Sequence, residues 1–119
     1  MEFVAFLGTD KENWGQIAAL MEKLVGCEKI ILVKNKYVEP FPIARDCSLI
    51  EIDSTKSLIE IKDELHKKLK KELSKDFEVT LSLVSGTGKE HMALIGALLA
   101  IPVGIRLVAY TKRGVEFLT

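Results

Sequence analysis

Apolar residues recur along this chain with two different periods. Glu2-Phe3-Val4-Ala5-Phe6-Leu7 and Lys29-Ile30-Ile31-Leu32-Val33-Lys34 are almost continuously apolar, which predicts strands covered on both faces. Ser48-Leu49-Ile50-Glu51-Ile52-Asp53 predicts a third strand, and Phe77 to Val84 alternates like a fourth. Between them the period changes. Trp14, Ile17, Leu20, Met21 and Leu24 recur at helical spacing, with Gly26 closing that helix. Ile61, Leu65, Leu69 and Leu73 form the stripe of a second helix, for which Ser57 and Glu60 supply a capping box. The segment from Asn35 to Asp46, with Pro40 and Pro42, reads as a loop or irregular edge.

A third helix, 89–100, has no polar face after His91. A surface helix packed on one sheet needs a polar face, so this one requires a second cover, most economically a second subunit, with Gly96 allowing close approach. The chain closes with Gly104 to Tyr110 and Val115 to Leu118, joined by the turn signal Thr111-Lys112-Arg113-Gly114, which predicts an antiparallel hairpin. Alternating strands and helices predict a single α/β domain over 1–119: a Rossmann-like, doubly wound, mostly parallel sheet with a C-terminal antiparallel β-hairpin.

Composition narrows the partners. The chain has 119 residues, 48% hydrophobic and 29% charged, and its 17 basic and 17 acidic residues cancel. Without a basic field, duplex DNA is not an expected partner. The basic helix carrying Lys62, Lys67, Lys68, Lys70, Lys71 and Lys75 is balanced by Asp63, Glu64 and Glu72 and reads as a solvated face, with His66 on it. No signal peptide is evident, and the run Met92 to Ile101 is about half of what a bilayer span needs. The expectation is therefore a cytoplasmic protein. Cys27, Cys47, His66 and His91 lack zinc-ligand spacing, so no metal is expected. Scarce Asn and Gln beside abundant Lys and Glu lean towards a thermophile.

The chemistry concentrates in Ser85-Gly86-Thr87-Gly88-Lys89-Glu90-His91. A strand, a Gly-rich turn and then a helix present backbone N–H groups at a positive helix end, a place for an anion. Lys89 adds a charge, and Ser85 and Thr87 add hydroxyls. The Walker pattern fails, because Leu83 and Glu90 stand where Gly and Ser or Thr are needed. The dinucleotide fingerprint fails at His91. In a doubly wound sheet, ligands sit beyond the carboxyl ends of the strands where the strand order reverses. Gly8-Thr9-Asp10-Lys11 belongs at that edge too, so Gly8, Thr9, Asp10, Lys11, Ser85, Gly86, Thr87, Gly88 and Lys89 are the candidate ligand-binding residues. Asp10 has two candidate roles: capping the following helix through the N–H of Glu12 or Asn13, or reading a ribose hydroxyl or an adenine amine.

The stretch Ser85-Gly86-Thr87-Gly88-Lys89, followed by Met92-Ala93-Leu94, the early polar loop and the terminal hairpin, resembles the CRISPR-associated Rossmann-fold (CARF) domain over essentially the whole chain. The order of Gly and Thr differs from the family's Thr-Gly-Gly-Thr-Lys-like stretch, and Glu90-His91 adds length before Met92. The resemblance implies a homodimer, paired through the helix 89–100, that binds a cyclic oligoadenylate across its two-fold axis in antiviral defence. It also implies a standalone form without a fused effector: a sensor, or a ring nuclease needing neither cofactor nor metal. For such cleavage the substrate's 2′-hydroxyl attacks the phosphate, Lys89 stabilises developing charge, Thr9, Ser85 or Thr87 positions the phosphate and His91 is a candidate general base. The alternative is a non-enzymatic assembly module that dimerises without a nucleotide.

Overall fold

The computed structural model describes residues 1–38, 46–73 and 78–119. Among them the elements run β1 (Glu2–Leu7), a 3₁₀ turn (Lys11–Asn13), α1 (Trp14–Lys23), β2 (Lys29–Asn35), β3 (Ser48–Ile52), α2 (Leu58–Glu72), β4 (Glu78–Ser82), α3 (Gly88–Ala100), β5 (Gly104–Thr111) and β6 (Gly114–Phe117). The predicted Phe77 start of the fourth strand, Lys75 and most of the proline-bearing loop lie outside the described residues.

The strands form one six-stranded sheet in the order β3-β2-β1-β4-β5-β6. All neighbours are parallel except β5 and β6, which form the antiparallel hairpin. This is the expected α/β, doubly wound architecture with its terminal hairpin. Gly114, at φ 100°, ends the hairpin turn in a conformation that favours glycine.

The chain builds β1 first, then extends the sheet to one side through β2 and β3 and returns to the other side for β4 and β5. Crossovers that keep one hand while moving in opposite directions must use opposite faces. Accordingly α1 covers one face, packing Trp14, Ile17, Leu20 and Met21 on Phe3, Ala5, Leu7, Ile30 and Leu32. The other face carries α2 and α3, which pack Ile61, Leu65, Leu69, Ala93, Leu94, Ala97 and Leu98 on Val4, Phe6, Ile31, Val33, Val79 and Leu81. The central strand β1 is buried along its whole length, which explains its unbroken apolar sequence.

The third helix needs less cover than its sequence suggests. Ala93, Leu94, Ala97 and Leu98 are in the core, while Met92 remains 62% and Leu99 58% exposed. The exposed apolar strip is therefore narrow. Gly96 does not face this strip alone: a Cβ there would come within 3.2 Å of the Lys62 side chain, so its close approach is to α2 of the same chain. The helix begins at Gly88, one residue earlier than predicted.

Candidate functional site

The strand order reverses between β1 and β4, which are paired in parallel with Phe3 beside Thr80 and Ala5 beside Ser82. The loops that leave their carboxyl ends therefore emerge side by side. The Gly8 N–H donates to the Ser85 hydroxyl at 2.8 Å, and that hydroxyl donates to Asp10 Oδ1 at 2.7 Å. The Gly86 N–H reaches the same oxygen at 3.0 Å. Two loops separated by most of the chain thus meet at the sheet edge, as the topology predicts.

Glycine is required on both sides of this junction. A Cβ on Gly8 would fall 2.6 Å from both Asp10 Oδ1 and the Gly86 Cα. Gly86 has φ 108°, and a Cβ there would meet the Phe6 ring at 2.7 Å. Gly8 serves the close approach of the two backbones, and Gly86 adds left-handed geometry. Gly88, by contrast, opens α3 with nothing near its missing Cβ.

Asp10 does not cap the helix that follows it. The 3₁₀ turn has no side-chain cap bond. The carboxylate faces the other loop instead, and Oδ2 accepts the side-chain amide of Asn13 at 2.7 Å. Partial burial alone would raise its pKa. The hydrogen bonds from Asn13, Ser85 and Gly86 together outweigh that desolvation and hold the carboxyl below its ordinary value. Trp14 closes the junction from the α1 side, donating its indole N–H to the Gly8 carbonyl at 3.1 Å.

The N-terminus of α3 carries a full capping box. The Thr87 hydroxyl accepts the Glu90 N–H at 3.3 Å, and Glu90 Oε1 accepts the Thr87 N–H at 2.8 Å. The Thr-x-x-Glu spacing of 87–90 was the available signal. Glu90 is buried, and its second oxygen accepts the Ser54 hydroxyl at 2.7 Å. At α2 the expected box is only half formed. Ser57 accepts the Glu60 N–H at 3.2 Å, but its hydroxyl, rather than its backbone, pairs with the Glu60 carboxylate.

Ser54 introduces a third loop, between β3 and α2, that no sequence motif announced. Lys89 is bound to it: its ammonium donates to the carbonyls of Ser54 at 3.0 Å and Lys56 at 2.7 Å. Of the side chains considered for catalysis, each is engaged within the protein. Ser85 is fully buried, its hydroxyl shared between Gly8 and Asp10. His91 Nε2 lies 2.6 Å from the Ser85 carbonyl. A carbonyl only accepts, so Nε2 carries the proton and Nδ1 is the nitrogen left to act as a base. The ring stands edge-on to Phe6.

Thr9, Lys11, Thr87, Gly88 and Lys89 are exposed at this edge. Lys11 lies with its ammonium 5.8 Å from the Trp14 ring centre. A pattern emerges only from the topology. Each of the first four strands in the chain is followed at its carboxyl end by an exposed lysine: Lys11, Lys36, Lys56 and Lys89. Because β1 to β4 are adjacent and parallel, these lysines belong to one edge of the sheet. Lys36 also pairs with Asp53 at 3.4 Å and Lys56 with Glu64 at 3.9 Å. Among the described residues, no group of three His, Cys, Asp or Glu side chains converges as a metal site, and no helix is long and apolar enough to cross a membrane. Comparison with known protein families, curated proteins and solved structures finds no match.

Proposed function

We propose that this domain binds a nucleotide ligand at the carboxyl edge of its sheet, and that the ligand is a cyclic oligoadenylate held between two copies of the chain. The observation that carries the reading is the junction of the 8–10 and 83–87 loops at the point where strand order reverses, the place where open α/β sheets take ligands. The four lysines that follow β1 to β4 supply cationic groups at this edge, two of them, Lys36 and Lys56, paired with Asp53 and Glu64. The exposed apolar strip on α3 supports the dimer, and a symmetric pair of sites suits a symmetric ring. The resemblance to the CARF domain supplies the identity of the ligand.

Binding without cleavage is the better-supported form. Ser85 is buried, His91 is tied to the Ser85 carbonyl through Nε2, and Lys89 is held on two carbonyls. Charge stabilisation by Lys89 during ring opening would need its ammonium to leave those two carbonyls.

Calorimetric titration with cyclic tri-, tetra- and hexaadenylate tests the proposal. The expected result is one ring bound per two chains, with the ring recovered intact. Lys89→Ala should weaken binding by about 1.5–3 kcal/mol if its ammonium transfers to a phosphate, while Lys71→Ala, on the outer face of α2, should leave it unchanged. Binding of none of the rings would leave the assembly module as the reading. Linear product in the reaction mixture would establish cleavage.

A further inference from the structure

The junction between the two loops already holds an anion of its own. The Asp10 carboxylate takes the Ser85 hydroxyl and the Gly86 N–H on Oδ1, and the Asn13 amide on Oδ2. The donors that a phosphate would seek at this point are therefore engaged. The Gly8 and Gly86 backbones also approach too closely to admit a phosphate between them. A phosphate brought here would meet a fixed negative charge with no compensating donor.

The three bonds on the carboxylate are not equivalent. Ser85 and Gly86 tie the two loops together across the sheet edge. Asn13 comes from the short 3₁₀ turn three residues away, and both Asp10 and Asn13 are only partly buried. Its amide is the replaceable donor. An incoming hydroxyl or amine can take its place on Oδ2 without opening the loops, whereas a phosphate, which presents acceptors, cannot.

We infer that Asp10 is a specificity-determining residue: it makes the loop junction a reader of hydrogen-bond donors from a nucleoside, and it restricts phosphate groups to the outer lysines. The inference rests on the nucleotide-binding reading and assigns its subsites. The donor is a ribose hydroxyl or the adenine amine, chemistry that a carboxylate accepts equally from either source.

Backbone amide shifts of the isotope-labelled protein provide the test, with adenosine and inorganic pyrophosphate as separate probes. Adenosine should move the Gly8, Ser85 and Gly86 amides, and pyrophosphate should leave them in place while moving amides near Lys56 and Lys89. Inosine lacks the amine and 2′-deoxyadenosine lacks a ribose hydroxyl, so whichever probe loses the effect identifies the donor. Asp10→Asn retains an acceptor for Ser85 and Gly86 but offers an amide where Oδ2 stood. It should weaken adenosine binding by at least about tenfold, with a smaller loss of melting temperature than Asp10→Ala. Asn13→Ala should bind adenosine as well as or better than the wild type, and it serves if Asp10→Asn does not fold. Pyrophosphate moving the junction amides more than adenosine, adenosine moving none of them, or tighter adenosine binding by Asp10→Asn would each overturn the inference. Junction shifts with adenosine but no binding of any cyclic oligoadenylate would sink the ring ligand and leave the Asp10 assignment standing.

Discussion

The Asp10 carboxylate accepts the backbone N–H of Gly86 at 3.0 Å across 76 residues of chain. With the Ser85 hydroxyl on the same oxygen, this contact fastens the loop after β1 to the loop before α3. It also gives an acidic residue a structural task at an edge that carries four lysines.

Removing that carboxylate should cost stability. Asp10→Ala leaves the buried Ser85 hydroxyl and the Gly86 N–H without their acceptor, so we expect a loss of about 1.5–3 kcal/mol in urea unfolding. Asp10→Asn should lose less, because its amide oxygen still accepts both donors. An alanine variant as stable as the wild type would show that the loops are held by packing alone.

The same contact predicts a pH dependence. The folded-state pKa of Asp10 is depressed, so its contribution is complete above the unfolded-state value of about 3.9 and is lost as pH falls through the lower folded-state value. Acidification below about pH 4 should therefore destabilise the wild type more steeply than Asp10→Asn. Parallel stability curves for the two proteins between neutral pH and pH 3 would contradict this.

Three glycines should respond differently to one methyl group. Gly8→Ala meets Asp10 and the Gly86 backbone at 2.6–2.7 Å, and Gly86→Ala combines a positive φ with a 2.7 Å approach to Phe6. Each should cost on the order of 2 kcal/mol or more. Gly15 lies inside α1 with open space around it, and Gly15→Ala should add about 0.5–1 kcal/mol. Thermal melts of the three variants separate these outcomes.

The α3 strip tests the dimer. Met92 and Leu99 are largely exposed in the single chain, so Met92→Lys and Leu99→Lys should leave the fold intact while converting a dimer to a monomer in light scattering. Leu98 is fully buried, and Leu98→Lys would report unfolding instead of dissociation. A wild-type chain that is monomeric at micromolar concentration would remove the two-fold ligand site.

The sequence by itself determined the elements and their assembly into an α/β sheet. Strands buried on both faces, such as β1, lose the polar alternation of exposed strands, and the stripe Ile61, Leu65, Leu69 and Leu73 marks the buried side of α2. Those signals are local, because periodicity follows from which side of one element meets the core. The meeting of Gly8 and Gly86 was also legible, since parallel topology places the ends of β1 and β4 at one edge. Only the tertiary structure decided what each side chain there does. Asp10 stands before a helix and has the composition of a cap, yet its acceptors are claimed by Ser85 and Gly86. Lys89 follows a Gly-rich turn, yet its ammonium lies on carbonyls from a loop with no motif. Hydrogen bonds are made to whichever partner folding brings within about 3 Å, and between residues far apart in the chain that partner is set by packing rather than by spacing.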